Sequence, residues 1–194
     1  MPTPSEAEGR VRRGADSSAF FVRAARPSDA RSFLECYRQV MEEGPYIRTE
    51  ELRHRPRWWV KRFRRSWTDD EANLVATDPA TGRVIGSLGV SREEHPVNRH
   101  VASLGMMVMK EWRTRGVGSA LMTEALRWAE QMGVEKLALS VYPDNAPARA
   151  LYAKFGFVEE GRMTGHSKKA TGYRDEIVMG RWLIPQPNTN AGEP

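Results

Sequence analysis

Hydrophobic and polar residues alternate with two different periods along this chain, and the mixture predicts a domain of both strands and helices. A period of two marks a half-buried strand, whereas apolar residues spaced by three and four positions mark one face of a helix. A first strand is predicted over residues 19–25, and a helix follows from an N-cap at Ser28 to about Glu43. Its apolar face comprises Phe33, Leu34, Tyr37, Val40 and Met41. Gly44 and Pro45 then end the helix, because both residues are unfavourable in a helix interior.

The remaining elements follow from the same two periods. Helices are predicted over 57–67, 116–132 and 145–155, and a glycine follows each of the last two. Strands are predicted over 73–77, 83–91, 100–109, 136–141, 157–167 and 172–183. The order β-α-α-β-β-β-α-β-α-β-β is typical of an α/β fold with one mixed, mostly antiparallel sheet flanked by helices.

Composition narrows the class of protein. Of the 194 residues 40% are hydrophobic and 28% are charged, enough apolar bulk for one core and too much for a wholly disordered chain. Residues 1–18 and 185–194 lack periodicity, so we expect a mobile leader and a mobile tail around a single domain over 19–184. No apolar run reaches the ~18–20 residues of a membrane span, and no secretory signal is visible. The single cysteine, Cys36, excludes an internal disulfide, so a cytoplasmic setting is expected.

The first segment with candidate chemistry joins the strand over 100–109 to the long helix. It contains Arg113, Arg115, Gly116 and Gly118 directly before or at the helix start. Amide N–H groups at a helix N-terminus have no partner within the helix and attract anions, and glycines let an anion approach the backbone closely. The pattern therefore predicts a diphosphate site, although a tight strand-to-helix turn would have the same glycines. It lacks the third glycine of a dinucleotide fingerprint and the Gly-Lys-Ser/Thr of a P-loop.

The second segment is the helix over 145–155. Asn145, Ala148 and Tyr152 are spaced by three and four positions and so share one helix face. Leu151 and Phe155 lie on another face, which is expected to pack on the core. A polar residue, a small residue and a tyrosine in a row suit the wall of a ligand groove, although a helix-capping asparagine and a surface tyrosine would fit the same pattern.

Together the two segments resemble a known family. Arg113-x-x-Gly116-x-Gly118 after an apolar strand resembles motif A of the GNAT acetyltransferase superfamily. The run from Asn145 to Phe157, with Leu151-Tyr152 and Gly156-Phe157, is similar to its motif B. The motifs stand in the family's order, and the resemblance covers roughly residues 20–183. It implies an acetyl-CoA-dependent N-acetyltransferase in which two central strands splay apart at the CoA site.

The resemblance also implies roles for individual residues. The cofactor-binding residues would be Met106, Met107 and Val108 along the pantetheine arm, Arg113, Arg115, Gly116, Val117, Gly118 and Ser119 around the diphosphate, and Asn145 on the pantetheine. Tyr152 would be the general acid that protonates the departing CoA thiolate. A phenol of pKa ~10 keeps its proton at neutral pH, which suits that role.

Finer features are similar to bacterial L-amino acid N-acetyltransferases, so the expected acceptor is a small primary amine such as an amino acid. These features are His100-x-Ala102-x-Leu104-Gly105 and Gly172-Tyr173-x-Asp175-x-x-x-Met179. The mid-strand places where many members carry a Glu or His base hold Ala102 and Leu104. Three residues are candidates for the missing base: Asp175, which alternates in phase with inward-facing positions, Glu43 at the end of the first helix, and His100. A base is dispensable for an α-amine of pKa ~8, which is partly neutral at pH 7.

Two further observations leave alternatives open. The segment near 53–67 is rich in arginine and tryptophan, and such a surface is typical of nucleic-acid binding. Trp59, Phe63 and Trp67, however, are spaced by four and predict a core-facing stripe, which makes a nucleic-acid partner unlikely. A protein or antibiotic acetyltransferase, and a CoA-sensing nucleic-acid module that is not an enzyme, are the alternative functions. The four histidines show no metal-ligand spacing, so no metal is expected, and a homodimer is possible.

Overall fold

The computed structural model describes residues 10–13, 19–44, 46–52 and 54–186, and these form one sheet with helices packed on it. The strands are β1 (Arg10–Arg13), β2 (Ala19–Ala24), β3 (Glu71–Thr77), β4 (Val84–Arg92), β5 (Val101–Val108), β6 (Lys136–Val141), β7 (Val158–Lys169) and β8 (Gly172–Trp182). The helices are α1 (Ala30–Glu42), α2 (Pro56–Phe63), α3 (Val117–Gln131) and α4 (Ala146–Lys154). The sheet order is β1-β2-β3-β4-β5-β6-β8-β7. The predicted fold class is therefore confirmed.

Three details differ from the prediction. Residues 10–13, expected within a mobile leader, form β1 and pair antiparallel with β2. The second helix ends at Phe63 and not at 67, because the chain turns there and Ser66 donates back to the carbonyl of Phe63 (3.1 Å). Ser28 lies inside a short 3-10 turn that precedes α1 and does not cap the helix. The rest of the expected leader and residues 187–194 of the expected tail lie outside the described residues.

The central feature of the sheet is an incomplete parallel pair. All neighbouring strands are antiparallel except β5 and β6, which pair only from Val101–Lys136 to Ser103–Ala138. Beyond Ser103, β5 continues along β4 and β6 continues along β8, so the two strands part. The expected splay of the central strands is thus present, and it opens the sheet towards the N-terminus of α3 and towards α4.

The helices pack around this opening. Helix α3 covers β2 to β5, and its Trp128 is fully buried and donates its indole N–H to the carbonyl of Thr68 (2.8 Å). Helix α1 packs on β4 and β5 and carries α2 beside it through Phe33, whose ring lies 4.4 Å from that of Trp59 and 5.3 Å from that of Phe63. Both sets of contacts bury apolar area, which holds the opening in place from two sides.

A buried ion pair anchors the start of α1. Asp29 is 6% exposed, and its two carboxylate oxygens accept hydrogen bonds from the guanidinium of Arg23 at 2.6 and 2.8 Å. One of them also accepts from the backbone N–H of Arg26 at 2.6 Å. This arrangement joins β2 to α1 through a charge that is fully hydrogen-bonded, which is the condition under which a buried charge is tolerated.

We expect Asp29→Ala to lower the free energy of unfolding by about 3 kcal/mol, because it leaves the mostly buried Arg23 charge without its partner. Urea denaturation followed by circular dichroism measures the change. Asp69→Ala removes an exposed carboxylate and serves as the control, with an expected change below about 0.5 kcal/mol. Equal stability of the two variants would contradict an anchoring role for Asp29.

Candidate active site

A cleft of about 1000 Å³ opens where β5 and β6 part. Its wall includes Met106, Met107 and Val108 of β5, all of them beyond the last β5–β6 pair. Arg113, Gly116, Gly118 and Ser119 line one end, and Asn145 and Tyr152 line the adjacent wall. The structure therefore brings most of the residues predicted to bind the cofactor, and the predicted general acid, to one cavity.

The N-terminus of α3 forms the anion-attracting end of the cleft. Gly116 precedes the helix with φ +87°, a left-handed conformation that favours glycine, and no atom lies within 4 Å of where its Cβ would be. The open space above this glycine leaves the first amide groups of α3 accessible from the cleft. An anion here meets N–H donors and the positive end of the helix dipole.

Gly118 has a different role from Gly116. A Cβ on Gly118 would lie 3.0 Å from Leu151 Cδ2 and 3.6 Å from the Met106 side chain. The first turn of α3 can therefore approach both α4 and β5 only because residue 118 has no side chain. This close packing sets the distance between the anion-binding turn and the Tyr152 helix.

An ion pair crosses the entrance of the cleft. Arg113 donates its Nε hydrogen to the carbonyl of Val108 (3.0 Å), and its guanidinium pairs with Glu43 at the C-terminus of α1. The other oxygen of Glu43 accepts from the backbone N–H of Lys110 (3.1 Å). Glu43, expected as a candidate base, is thus held against the arginine of the anion-binding loop. Its position favours a role in ordering that loop over proton transfer from an acceptor.

Helix α4 places Tyr152 in the wall of the cleft. Asn145 caps the helix, since its side-chain oxygen accepts from the N–H of Ala148 (3.3 Å). Tyr152 is 6% exposed, and burial raises the pKa of its phenol from 10 to about 12. The hydroxyl is therefore fully protonated at neutral pH and can donate but not accept a proton.

Two of the candidate bases, His100 and Asp175, are not among the described residues that line the cleft. His100 precedes β5 and stacks on Trp182, with ring centroids 6.2 Å apart. Met106 lies six positions after His100, which corresponds to roughly 20 Å along an extended strand. Asp175, on β8, is held by two donors of β7: its carboxylate accepts from the backbone N–H of Gly165 (2.7 Å) and from Arg162 Nε (2.8 Å). These two hydrogen bonds lower the pKa of the Asp175 carboxyl.

The reason for the misplacement of Asp175 lies in the length of β6. The last residue of β6, Val141, pairs with Ile177, so residues 172–176 of β8 extend beyond β6 and pair only with β7. In this extension the face that holds Tyr173, which is 70% exposed, points outward. Asp175 shares that face. It alternates in phase with the buried Ile177 and Met179, but these two lie beside β6 and Asp175 does not, so the spacing did not predict its exposure.

The neighbouring carboxylate, Glu176, was not among the predicted site residues. Glu176 is 1% exposed and lines the cleft. One of its oxygens accepts from the Ser167 hydroxyl and the other from Arg48 at 3.4 Å. The signal available was a single Glu that opens the apolar run 176–179 within the predicted last strand. Glu176 is the buried acid that the chain presents to the cleft beside the end of β6.

The segment 46–52 forms a roof over this part of the cleft. Tyr37 and Thr49 share a hydrogen bond of 2.6 Å between their hydroxyls, which fastens the roof to α1. The hydroxyl of Tyr46 donates to the carbonyl of Asp144 (3.3 Å) across the cleft, and Lys169 bonds to the carbonyl of Ile47. The segment that contains Tyr46 thus contacts both Asp144, which precedes α4, and the β7–β8 hairpin.

Two of the residues predicted around the anion site do not line the cleft within the described part of the chain. Val117 is 1% exposed and its side chain packs towards Gly86, and the guanidinium of Arg115 lies over the ring of Trp112 at 5.5 Å.

The basic, aromatic segment near 53–67 divides as its spacing predicted. Trp59 and Phe63 pack against Phe33 in the core, whereas Lys61 and Arg64 are exposed. The predicted stripe is thus present for Trp59 and Phe63, whereas Trp67 lies past the end of α2 and packs against the core from the following turn. Arg53 lies outside the described residues.

The single cysteine is buried and unreactive at neutral pH. Cys36 is 1% exposed, and burial raises the pKa of its thiol to about 12, so it is a packing residue at neutral pH. The described residues contain no cluster of three or more His, Cys, Asp or Glu side chains placed to hold a metal ion. None of the helices in the described part of the chain has the length and apolarity that crossing a bilayer requires.

Comparisons with known proteins identify the family. The model of the GNAT acetyltransferase family matches residues 33–157, which is more than half of the chain, so the chain belongs to that family. An L-amino acid N-acetyltransferase of Escherichia coli K12, AaaT, is 37% identical over 101 residues, covering 52% of this chain and 62% of that enzyme. The matched segment therefore spans about three fifths of this relative.

Solved structures share the fold. An acetyltransferase of the GNAT family from Streptococcus pneumoniae superposes with a TM-score of 0.78 at 24% identity, covering 85% of this chain and 99% of that one. The yncA protein of Salmonella typhimurium, whose structure holds its cofactor acetyl-CoA, superposes with a TM-score of 0.76 at 17% identity, over 89% and 99% of the two chains. At these identities the likeness shows the fold alone.

We expect Gly116→Glu to raise the Kd for CoA at least ~10-fold, because the new carboxylate stands at the anion-attracting end of α3 and repels the diphosphate. Calorimetric titration with CoA measures the change.

Gly133→Glu provides a matched control at the other end of the same helix. Gly133 also has a positive φ (+65°) and open space at its Cβ, so it shares the backbone strain of the Gly116 variant without the site. Equal CoA affinity of the two folded variants would exclude the α3 N-terminus as the diphosphate site.

Proposed function

We propose that this protein is an N-acetyltransferase that moves the acetyl group of acetyl-CoA to a small primary amine, most plainly an amino acid or a similar molecule. The observation that supports this best is the convergence of three features on one cleft: the α3 N-terminus, the buried phenol of Tyr152 and the buried carboxylate of Glu176. The relative from Escherichia coli, named an L-amino acid N-acetyltransferase, supports the acceptor class.

The residues present fit acetyl-CoA as a substrate. The amides at the start of α3 and the guanidinium of Arg113 suit its diphosphate. The β6-facing edge of β5 over residues 106–108 pairs with no described strand and suits the amide groups of the pantetheine arm. Arg113 would exchange its Glu43 partner for phosphate oxygens. Acetyl-CoA supplies an acetyl group activated as a thioester.

Tyr152 acts as the general acid in this proposal. When the amine nitrogen bonds to the acetyl carbon, the carbon–sulfur bond breaks and its electron pair goes to sulfur. The Tyr152 hydroxyl donates its proton to that thiolate. Burial raises the pKa of the phenol because it disfavours the charged phenolate. Burial in the same cleft also disfavours the charged CoA thiolate, so the proton donor and the proton acceptor both hold a proton more tightly than in water.

Glu176 acts on the acceptor side. An ammonium group entering the cleft meets the carboxylate of Glu176, which attracts it and takes one proton to leave the neutral amine. The second proton leaves the nitrogen as the amide forms and replaces the one that Tyr152 has given to the thiolate. Arg48 reaches the same carboxylate from a largely exposed position, with its side chain 62% exposed, so an incoming ammonium can displace it at small cost. A release assay for the CoA thiol over amino acids, polyamines and peptides tests the acceptor class.

We expect Tyr152→Phe to lower kcat by roughly 10²–10⁴, the usual effect of removing a positioned acid. The ring and its packing against Phe157 remain, so the thermal midpoint and acetyl-CoA affinity should change little. Steady-state thiol release, measured where chemistry limits the rate, gives the change.

Tyr173→Phe removes a hydroxyl from a tyrosine on the outer face and is the control, with kcat expected to stay near that of the unchanged protein. A kcat for Tyr152→Phe equal to that control would remove Tyr152 from the mechanism and leave water as the proton donor.

We expect Glu176→Gln to lower kcat/KM for the amine by roughly 10²-fold, with the loss shrinking as pH rises towards 9 because more of the amine is then neutral without a base. Asp175→Asn, one residue away on the outer face, should retain nearly full activity. A pH profile of kcat/KM for both variants measures this. A Glu176 variant with lowered stability and an unchanged pH profile would show that the residue is structural.

A further inference from the structure

The cleft extends past the reacting centre over a floor of small and polar residues. Gly105 of β5 pairs with Gly89 of β4, which pairs with Asn73 of β3, so these three positions form one row across the sheet. On either side of Gly89, Ser87 and Ser91 also line the cleft. A sheet face under helices is ordinarily apolar, so this floor suits a polar ligand.

Two N–H donors above this floor have no hydrogen-bond partner within the described residues. They are Nδ2 of Asn73, whose residue is 8% exposed, and the indole Nε1 of Trp59, and both atoms are buried. A buried donor without a partner costs about 1–3 kcal/mol, so such atoms ordinarily meet an acceptor. Both residues line the cleft, so a side-chain rotation that exposes these N–H groups would offer them to a ligand with a hydrogen-bond acceptor.

Arg62 orients the asparagine and adds positive charge. Its Nε donates to the side-chain oxygen of Asn73 (3.2 Å), which leaves the amide N–H₂ of Asn73 as the group without an acceptor. Another nitrogen of Arg62 pairs with Glu71 at 2.6 Å, which holds the guanidinium in place. Trp59 stands three residues earlier on α2, on the same helix face as Arg62. The site therefore offers two unpartnered donors beside a fixed guanidinium, a combination that suits a carboxylate.

Resting on the proposed function, we propose that Asn73, Trp59 and Arg62 form a subsite for a carboxylate carried by the acceptor amine. Strands lie about 4.8 Å apart, so Asn73 stands about 10 Å across the sheet from Gly105, next to the β5 edge that would hold the donor. An acceptor whose amine is several carbons from its carboxylate would lie along the Asn73–Gly89–Gly105 row, with the carboxylate over β3 and the amine towards Tyr152 and Glu176. The glycines of the row leave room for its chain.

The test compares amines that differ only in the carboxylate. Each L-amino acid is paired with its carboxamide, and ω-amino acids of three to six carbons are paired with n-alkylamines of the same length. We expect the carboxylate member of the preferred pair to have a KM at least ~10-fold lower. The best chain length then reports the separation of the subsite from the reacting centre.

Variants assign the effect to the subsite. Asn73→Asp replaces the donor with a negative charge, and Trp59→Phe removes the indole N–H together with part of the ring that packs against Phe33 and Phe63. Both should raise KM for carboxylate acceptors about 10-fold or more while leaving KM for the alkylamines and acetyl-CoA near the unchanged values. Asn98→Asp makes the same chemical change at an exposed turn and is the control. Equal effects on amines with and without the carboxylate would overturn the subsite.

A second measurement separates this inference from the proposed function. Calorimetric titration of the same amino acids into the protein with CoA present reads binding without turnover. Binding that Asn73→Asp abolishes, in a protein that acetylates no amine, would support the subsite and refute the proposed activity. Turnover of amines with no preference for a carboxylate would refute the subsite and leave the activity standing. Absence of both binding and turnover would refute both.

Discussion

The whole site depends on the point at which the ladder between β5 and β6 stops. The two strands pair for three residues and then follow different neighbours, β4 on one side and β8 on the other. Each is held firmly along one edge, so the gap between them is a fixed feature and not a frayed end. Unpaired backbone groups at such an edge require other partners, and a ligand with amide groups can supply them. The anion-attracting turn, the Tyr152 helix and the buried Glu176 all surround this gap.

Residues without large side chains allow the helices and strands around the cleft to approach one another closely. Gly118 allows α3 to touch Leu151 of α4 and Met106 of β5, so the turn that attracts the anion and the helix that bears the phenol share a contact. Gly89 and Gly105 clear the floor on the acceptor side in the same way, by omitting side chains where β4 and β5 line the cleft. Both effects act through volume, because closely packed interiors transmit the size of a single methyl group.

Charge is distributed along the cleft in a manner that suits an anionic donor and a zwitterionic acceptor. The α3 N-terminus and Arg113 attract negative charge at one end, with Glu43 as the internal partner that holds the loop in place. Glu176 supplies negative charge beside the end of β6, and Arg62 supplies positive charge over β3. Because these groups are partly or fully buried, their interactions are screened less by salt than those of surface pairs.

Local patterns in the sequence determined the elements and the part of the site that lies at their ends. The positive-φ glycine before α3, the asparagine cap of α4 and the helix spacing of Tyr152 are properties of neighbouring residues, so they could be predicted without the fold. Only the tertiary structure decided which carboxylate enters the cleft. Asp175 and Glu176 are adjacent in sequence, yet only Glu176 is buried in the cleft. Which of the two is buried depends on β6 ending opposite Ile177, and that pairing joins residues far apart in the chain. The same holds for Arg62 of α2 and Asn73 of β3, which meet through a hydrogen bond that no spacing along the sequence encodes.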